Sequence, residues 1–265
     1  MPQPFKTVDE PLNFVRTVQK VTPLIQHSRQ SIKFLETELF VVPKGVTQLR
    51  IYAVGAAGGC GNGFGVLLNN SGEGGVAVSN VKVRPGESIE IFVGKRGCDG
   101  SLPEGGLGGD SLTDFKGGSA APGQAGGGGG GGGASGAIRV CGEELLVLAG
   151  GGGGGSGVGD GGNIGRGGAG GSFGTNGRGI ERSRARSQQA NFDDENRSAA
   201  PSNGISYGSG GGGGGWHGGV SGLSLDQANT GGEGGSGTIE GSLSSNGGGQ
   251  LDGLVIVSFD QGDVA

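Results

Sequence analysis

Short runs in which apolar and polar residues alternate recur along most of the chain, and they predict β-strands. Leu49, Ile51 and Ala53 lie two residues apart and therefore share one face of a predicted strand. Together the runs predict strands over 32–42, 49–54, 76–83, 88–93, 137–140, 145–149 and 254–259, with tight turns at 43–46, 84–87 and 142–143. Short strands joined by proline–glycine turns are typical of an all-β sandwich or jelly roll.

The first 31 residues have a different pattern and contain no glycine. Their apolar residues recur at helical spacing and predict a short amphipathic helix that ends at Pro23. The apolar positions are Leu12, Val15, Val18, Val21 and Leu24. We therefore divide the chain into an N-terminal extension, residues 1–31, and a domain, residues 32–265. The extension either docks on the domain, serves as an attachment or homo-oligomer contact with a partner, or is a simple tail.

Glycine accounts for 71 of the 265 residues, and much of it falls in runs between the predicted strands, over 126–133, 150–155 and 210–215. Glycine loses more backbone freedom on folding than other residues and has no side chain to bury. Such runs therefore either stay disordered or pack backbone against backbone. An extended threefold helix has no internal hydrogen bonds, so its amides must pair with neighbouring helices. Because the runs alternate closely with patterned strands, we predict a bundle of polyglycine II helices interleaved with the sandwich.

A polar segment over 178–206 interrupts the glycine-rich pattern. Four arginines fall between 178 and 186, and three acidic residues follow at 193–195. This segment is expected to be either a long loop at one end of the bundle or a disordered insert.

Composition and charge exclude several classes of partner. The formal net charge is −5 and the pI is near 5.1, which argues against nucleic acid or an anionic membrane. No apolar stretch is long enough to insert into a membrane. No classical secretory signal is visible, so that either the protein is not exported classically or the chain is a fragment.

The order of these elements resembles a known family of glycine-rich domains. The segment over 40–59, the run and strand over 126–140, and the strand and run over 144–155 are similar to the extracellular glycine-rich domain of the anaplastic lymphoma kinase and leukocyte tyrosine kinase receptors. The last strand resembles the closing strand of bacterial and phage glycine-rich surface and adhesin domains, and the resemblance covers residues 32–260. It implies a jelly-roll, tumour-necrosis-factor-like sandwich joined to a polyglycine bundle and used for recognition. Receptor function is not carried over, because the chain has no kinase and no membrane span.

Aromatic residues flank the third glycine run and are the strongest candidates for binding. Trp216 follows the run and Tyr207 precedes it. A ring at such a position either plugs the end of the bundle or stacks on a sugar or protein surface. The candidate binding residues, expected at one end of the bundle, are Tyr207, Trp216, His217, Phe173, Arg182 and Arg184.

No enzyme site, metal site or cofactor is predicted. Gly-x-Ser-x-Gly over 170–174 lacks the strand and helix of a nucleophile elbow. The calcium nonapeptide pattern over 105–113 occurs once, whereas each ion in a β-roll is shared between successive repeats. Cys60, Cys98 and Cys141 lie apart and either stay reduced or form one disulfide with one free thiol.

The sequence thus predicts a non-enzymatic recognition or adhesion module whose partner is a cell-surface glycan or protein. Its expected setting is extracellular, on a cell surface or on a virion, with a cytoplasmic setting left open. One alternative is a structural coat component that binds only copies of itself, and a hydrolytic enzyme is the less favoured one.

Overall fold

The described part of the chain is built from β-strands and extended segments. The computed structural model describes residues 28–158, 167, 208–216, 218–219, 222, 224–225, 228–229, 231–232, 234–235, 237 and 251–261. Over these ranges the sheets are antiparallel, no α-helix occurs, and the one helical element is a 3-10 turn at Thr113–Phe115. The predicted all-β class is confirmed.

Two four-stranded sheets form the framework. The first sheet contains, in spatial order, β1 (Ser28–Phe34), β12 (Leu254–Gln261), β3 (Gln48–Val54) and β6 (Val76–Lys82). The second contains β2 (Glu38–Val41), β7 (Ser88–Phe92), β8 (Ser135–Arg139) and β9 (Glu144–Ala149). Short hairpins pair β4 (Asn62–Gly63) with β5 (Val66–Leu67), and β10 (Ser224–Leu225) with β11 (Ala228–Asn229).

The two large sheets share one hydrophobic core, as in a β-sandwich. Leu49, Ile51 and Ala53 of β3 are fully buried, as their alternation predicted. They belong to one cluster with Ile89 and Ile91 of β7 in the other sheet. Burial of this apolar surface is the main stabilising contribution to the sandwich.

The single strand predicted over 32–42 is wrong, because the structure has two strands there. β1 ends at Phe34, residues 35–37 form a bend, and β2 begins at Glu38 in the other sheet. Phe34 and Phe40 nevertheless meet in the core, with ring centroids 6.0 Å apart. The alternation continues through the bend because both strands bury one face, so the pattern does not show where the chain changes sheets.

The predicted turns are present. Glu87 N–H donates to the Arg84 carbonyl over 3.0 Å, and Val46 N–H donates to the Pro43 carbonyl over 3.2 Å. Gly142, in the turn between β8 and β9, has a φ of +93°, a left-handed conformation that glycine adopts without steric cost.

Glycine-rich extended segments pack side by side at one end of the sandwich, and their hydrogen bonds repeat every three residues. The central segment is the buried run over 126–133. Its N–H groups at 127, 130 and 133 donate to carbonyls at 101, 98 and 95; those at 128 and 131 donate to 121 and 118; those at 129 and 132 donate to 155 and 152. Its carbonyls accept from three further segments, over 56–62, 106–109 and 211–214. The run is thus surrounded by backbone on all sides.

The number of neighbours around a segment decides how much glycine it needs. The central runs over 126–133, 150–155 and 210–215 are buried throughout and consist of glycine. On the outside of the bundle, Gly94, Gly97 and Gly100 are buried, whereas the two residues between each pair are partly or fully exposed. An outer segment therefore needs glycine only at the positions that face a neighbour.

The bundle and the described chain ends lie at opposite ends of the molecule. β3 and β9 continue into glycine segments after Val54 and Ala149, whereas Ser28 of β1 pairs with Gln261 of β12 at the far end of the first sheet. We call the end with Ser28 and Gln261 the base. We call the end of the bundle farthest from the sandwich the tip. The helix predicted in the N-terminal extension and the polar segment over 178–206 lie outside the described residues.

Candidate recognition site

Trp216 is the one predicted binding residue that the structure describes, and it lies at the sandwich end of the bundle. Gly214 N–H, two residues before it, donates to the Gly132 carbonyl over 2.9 Å, close to where the central run enters β8. The ring is 36% exposed. The other candidates, Tyr207, His217, Phe173, Arg182 and Arg184, lie outside the described residues.

The run before Trp216 crosses the length of the bundle. Its first residue, Gly208, accepts a hydrogen bond from Gly157 N–H over 2.6 Å at the tip. An extended run of eight residues spans roughly 25 Å at 3.1 Å per residue. The two ends of this run, which sequence proximity grouped into one candidate site, therefore lie at opposite ends of the bundle.

Three described loops meet at the tip. They are the β4–β5 hairpin and the loops over 101–104 and 122–125. Phe64 N–H donates to the Ala125 carbonyl over 2.7 Å, and Gly123 N–H donates to the Pro103 carbonyl over 2.8 Å. These bonds hold the three loops together as one surface.

The tip exposes large apolar side chains. We call the four of them the tip patch: Phe64 is 75% exposed, Val66 65%, Leu67 51% and Leu102 52%. Within the three loops, Glu104 is the charged residue. Contiguous exposed apolar surface of this kind marks an interaction site more often than it occurs by chance.

The apex of the hairpin has an unusual backbone conformation. Phe64 has a φ of +49° and is followed by Gly65 with a φ of +86°. Two successive positive φ angles define the tight turn that favours Asn-Gly, and a bulky residue at the first position is strained. The Asn62 Oδ1 atom accepts a hydrogen bond from Gly65 N–H over 2.9 Å and fixes the turn. Strain of this kind concentrates at binding and active sites.

A buried amide anchors the hairpin to the bundle. Asn70 accepts a hydrogen bond from Gly61 N–H over 2.9 Å and donates one to the Ser156 carbonyl over 2.7 Å. The side chain is 5% exposed. Because the hairpin is already ordered, a partner that binds it has little conformational entropy to remove.

Sequence reasoning missed the tip patch. The residues Phe64-Gly-Val-Leu-Leu68 form an apolar run without the alternation of a half-buried strand, and such a run is equally compatible with a buried segment. The signal that could have found it is the bulky residue placed before glycine between two short extended segments.

The three cysteines are free thiols in very different surroundings. Cys60 is buried beside the ion pair formed by Arg96 and Asp99, whereas Cys98 and Cys141 are exposed. Cys60 N–H donates to Asp99 Oδ1 over 2.7 Å, and the Cys60 Sγ atom lies 3.7 Å from a guanidinium nitrogen of Arg96. The ion pair thus closes the bundle over the thiol.

These surroundings predict a difference in thiol reactivity. Cys98 and Cys141 should react with iodoacetamide quickly, and Cys60 on the order of tenfold or more slowly, because the reagent reaches it only through local opening. Mass spectrometry of tryptic peptides after timed alkylation measures the three rates. Equal rates in the folded protein would contradict the burial of Cys60.

Asp110, which belongs to the nonapeptide pattern over 105–113, is engaged in an ion pair. Its Oδ1 atom lies 2.8 Å from Lys116 Nζ. The hydrogen bond from Lys116 lowers the pKa of the Asp110 carboxyl group. In the described part of the chain, no three His, Cys, Asp or Glu side chains are grouped so that they could hold a metal ion. Ser172, of the Gly-x-Ser-x-Gly match, lies outside that part.

The candidate site therefore consists of an exposed apolar surface on a hydrogen-bonded scaffold. The described residues include no helix with the length and hydrophobicity needed to cross a membrane. A scan of the chain against protein-family models finds no matching family, and a search of curated proteins finds no matching relative.

Proposed function

We propose that the protein is a non-enzymatic recognition module that contacts a cell-surface glycan or protein through its tip. The observation that carries this proposal is the position of the tip patch at the end opposite the base, where β1 begins and β12 ends. A module attached through its base would present the tip patch outward. The setting that fits this arrangement is an extracellular, cell or virion surface.

The scaffold suits such a role. We infer that the glycine segments are polyglycine II helices, because their hydrogen bonds join different segments and repeat every three residues. We also infer a jelly-roll arrangement, which the resemblance to glycine-rich receptor domains implies. A lattice of this kind fixes the tip loops on a stiff support while it exposes little apolar surface of its own.

Phe64 is the central contact in this proposal. Aromatic side chains provide large contact area at a small cost in conformational entropy, and they are enriched among the residues that dominate binding energy. Val66, Leu67 and Leu102 surround it with aliphatic surface. Strain at the apex holds the ring outward before any partner arrives.

Phe64→Asn tests the proposal because it separates binding from folding. Asparagine tolerates a positive φ, so the Asn-Gly turn should leave the urea midpoint unchanged or raise it. Loss of the ring should weaken binding by about tenfold or more, as expected for an interface anchor. Binding is measured on an array of glycans and an array of cell-surface ectodomains, with the wild-type signal identifying the partner.

Two control variants define the outcome. Leu107→Asn removes another exposed apolar side chain, 67% exposed but on the flank of the bundle, and should bind like the wild type. Trp216→Ala tests the residue that the sequence analysis favoured. A Phe64→Asn variant that binds as tightly as the wild type would reject the tip patch, and a loss confined to Trp216→Ala would move the site to the sandwich end.

A further inference from the structure

We propose that residues 12–24 of the N-terminal extension pack on the outer face of the second sheet, beside β2. The inference is independent of the function proposed above. It rests on an incompletely covered apolar surface near the base, on the point at which the chain enters β1, and on the charge and spacing of the residues before it.

The outer face of the second sheet is covered at one end only. Near the bundle, the ring of Phe115 stacks on Phe92 with centroids 5.3 Å apart and planes 7° apart. Nearer the base, three apolar side chains remain exposed: Leu39 is 61% exposed, Val41 53% and Val140 49%. We call these three residues the outer shelf.

The outer shelf is continuous across three strands. Leu39 pairs with Glu90, which in turn pairs with Ile138 on β8. In the next row, Val41 pairs with Ser88, whose carbonyl accepts a hydrogen bond from Val140 N–H over 3.1 Å. Residues two apart on one strand point to the same face, so these rows form one surface.

The N-terminal extension enters the domain close to this surface. β1 starts at Ser28 at the base, and its last residue, Phe34, contacts Phe40 of β2 across the core. The edge of the first sheet therefore lies over the edge of the second. Facing sheets lie about 10 Å apart, and an extended residue spans about 3.3 Å, so about five residues reach around the edge. Residues 1–27 exceed this length several times.

The chemistry of the extension matches the shelf. At helical spacing its apolar residues fall on one side, with Arg16 and Lys20 beside them. The charged residues within the described rows of β2 and β7 around the shelf are Glu38 and Glu90. A second copy of the domain would bring the same acidic residues against each other, which disfavours self-association through this face.

Trypsin cleavage after Lys20 in the full-length protein tests the proposal. Val15→Asp with Val18→Asp places two charges on the apolar side and should accelerate cleavage by about tenfold or more, because local opening then limits it less. Val41→Asp on the shelf should have the same effect. Asn13→Asp with Thr17→Asp adds equal charge on the polar side and should cleave like the wild type.

Mass spectrometry follows the cleavage, and circular dichroism verifies that the sheets are retained. Wild-type cleavage as fast as in the Val15→Asp, Val18→Asp variant would overturn the proposal. Acceleration by the two extension substitutions without acceleration by Val41→Asp would place the extension on another surface and equally overturn it. Protection that is lost on dilution, together with a dimer in sedimentation velocity, would show that a second copy supplies the contact.

Discussion

Gly129→Ala is expected to destabilise the protein by about 3 kcal/mol or more, the upper range for an overpacked interior position. The added Cβ atom would lie 2.1 Å from the carbonyl oxygen of Gly59. Gly59 cannot easily move away, because its own N–H donates to the Gly130 carbonyl over 2.7 Å. Relief of the clash would therefore require separation of whole segments and loss of several hydrogen bonds.

Gly86→Ala is the matched control. Gly86 has a φ of +80° and no atom within 4 Å of the position of a Cβ, so alanine there meets only backbone strain. Such strain costs about 1–2 kcal/mol. Urea unfolding followed by circular dichroism compares the two variants. Equal losses would mean that the glycines of the bundle serve backbone freedom rather than close packing.

Asn70→Ala is expected to destabilise the protein by about 2–4 kcal/mol, because a buried polar partner is removed from two backbone groups at once. The amide bonds Gly61 N–H and the Ser156 carbonyl and thereby connects the base of the tip hairpin to a central segment. A smaller side chain also leaves a void among glycines that have no side chains with which to fill it.

Asn80→Ala supplies the comparison, since Asn80 is exposed on β6 and its replacement should change the free energy of unfolding by less than about 0.5 kcal/mol. Hydrogen exchange locates the effect. In Asn70→Ala the amides of 61–68 should exchange faster than in the wild type, while those of β3 and β12 change less. A loss spread evenly over the molecule would argue against the anchoring role.

The strands were predictable because burial of one face leaves a period of two. β3 and β7 show it with Leu49, Ile51, Ile89 and Ile91 buried. The bend at 35–37 was not predictable, because Phe34 and Phe40 keep the same parity on either side of it. Register between the sheets depends on contacts distant in sequence, and no local pattern encodes them.

The candidate site was less accessible to sequence reasoning than the fold. Proximity along the chain linked the residues before Gly208 to Trp216, yet a fully extended run separates the ends that it joins. Phe64 lies near residue 125 in space because the central run ends there, a contact that depends on how the glycine segments pair. Glycine has no side chain, so the residues of such a run carry no information on which neighbour each of them meets.

The three-residue repeat on the flank of the bundle sets a fixed interval for surface chemistry. Lys95, Cys98 and Ser101 recur on an outer segment whose glycines face inward. At a rise of 3.1 Å per residue, such positions lie about 9 Å apart. Substitutions there change charge, size or reactivity without contact with the lattice beneath. Selection, or an engineer, can therefore place functional groups along this flank at regular intervals while the fold stays the same.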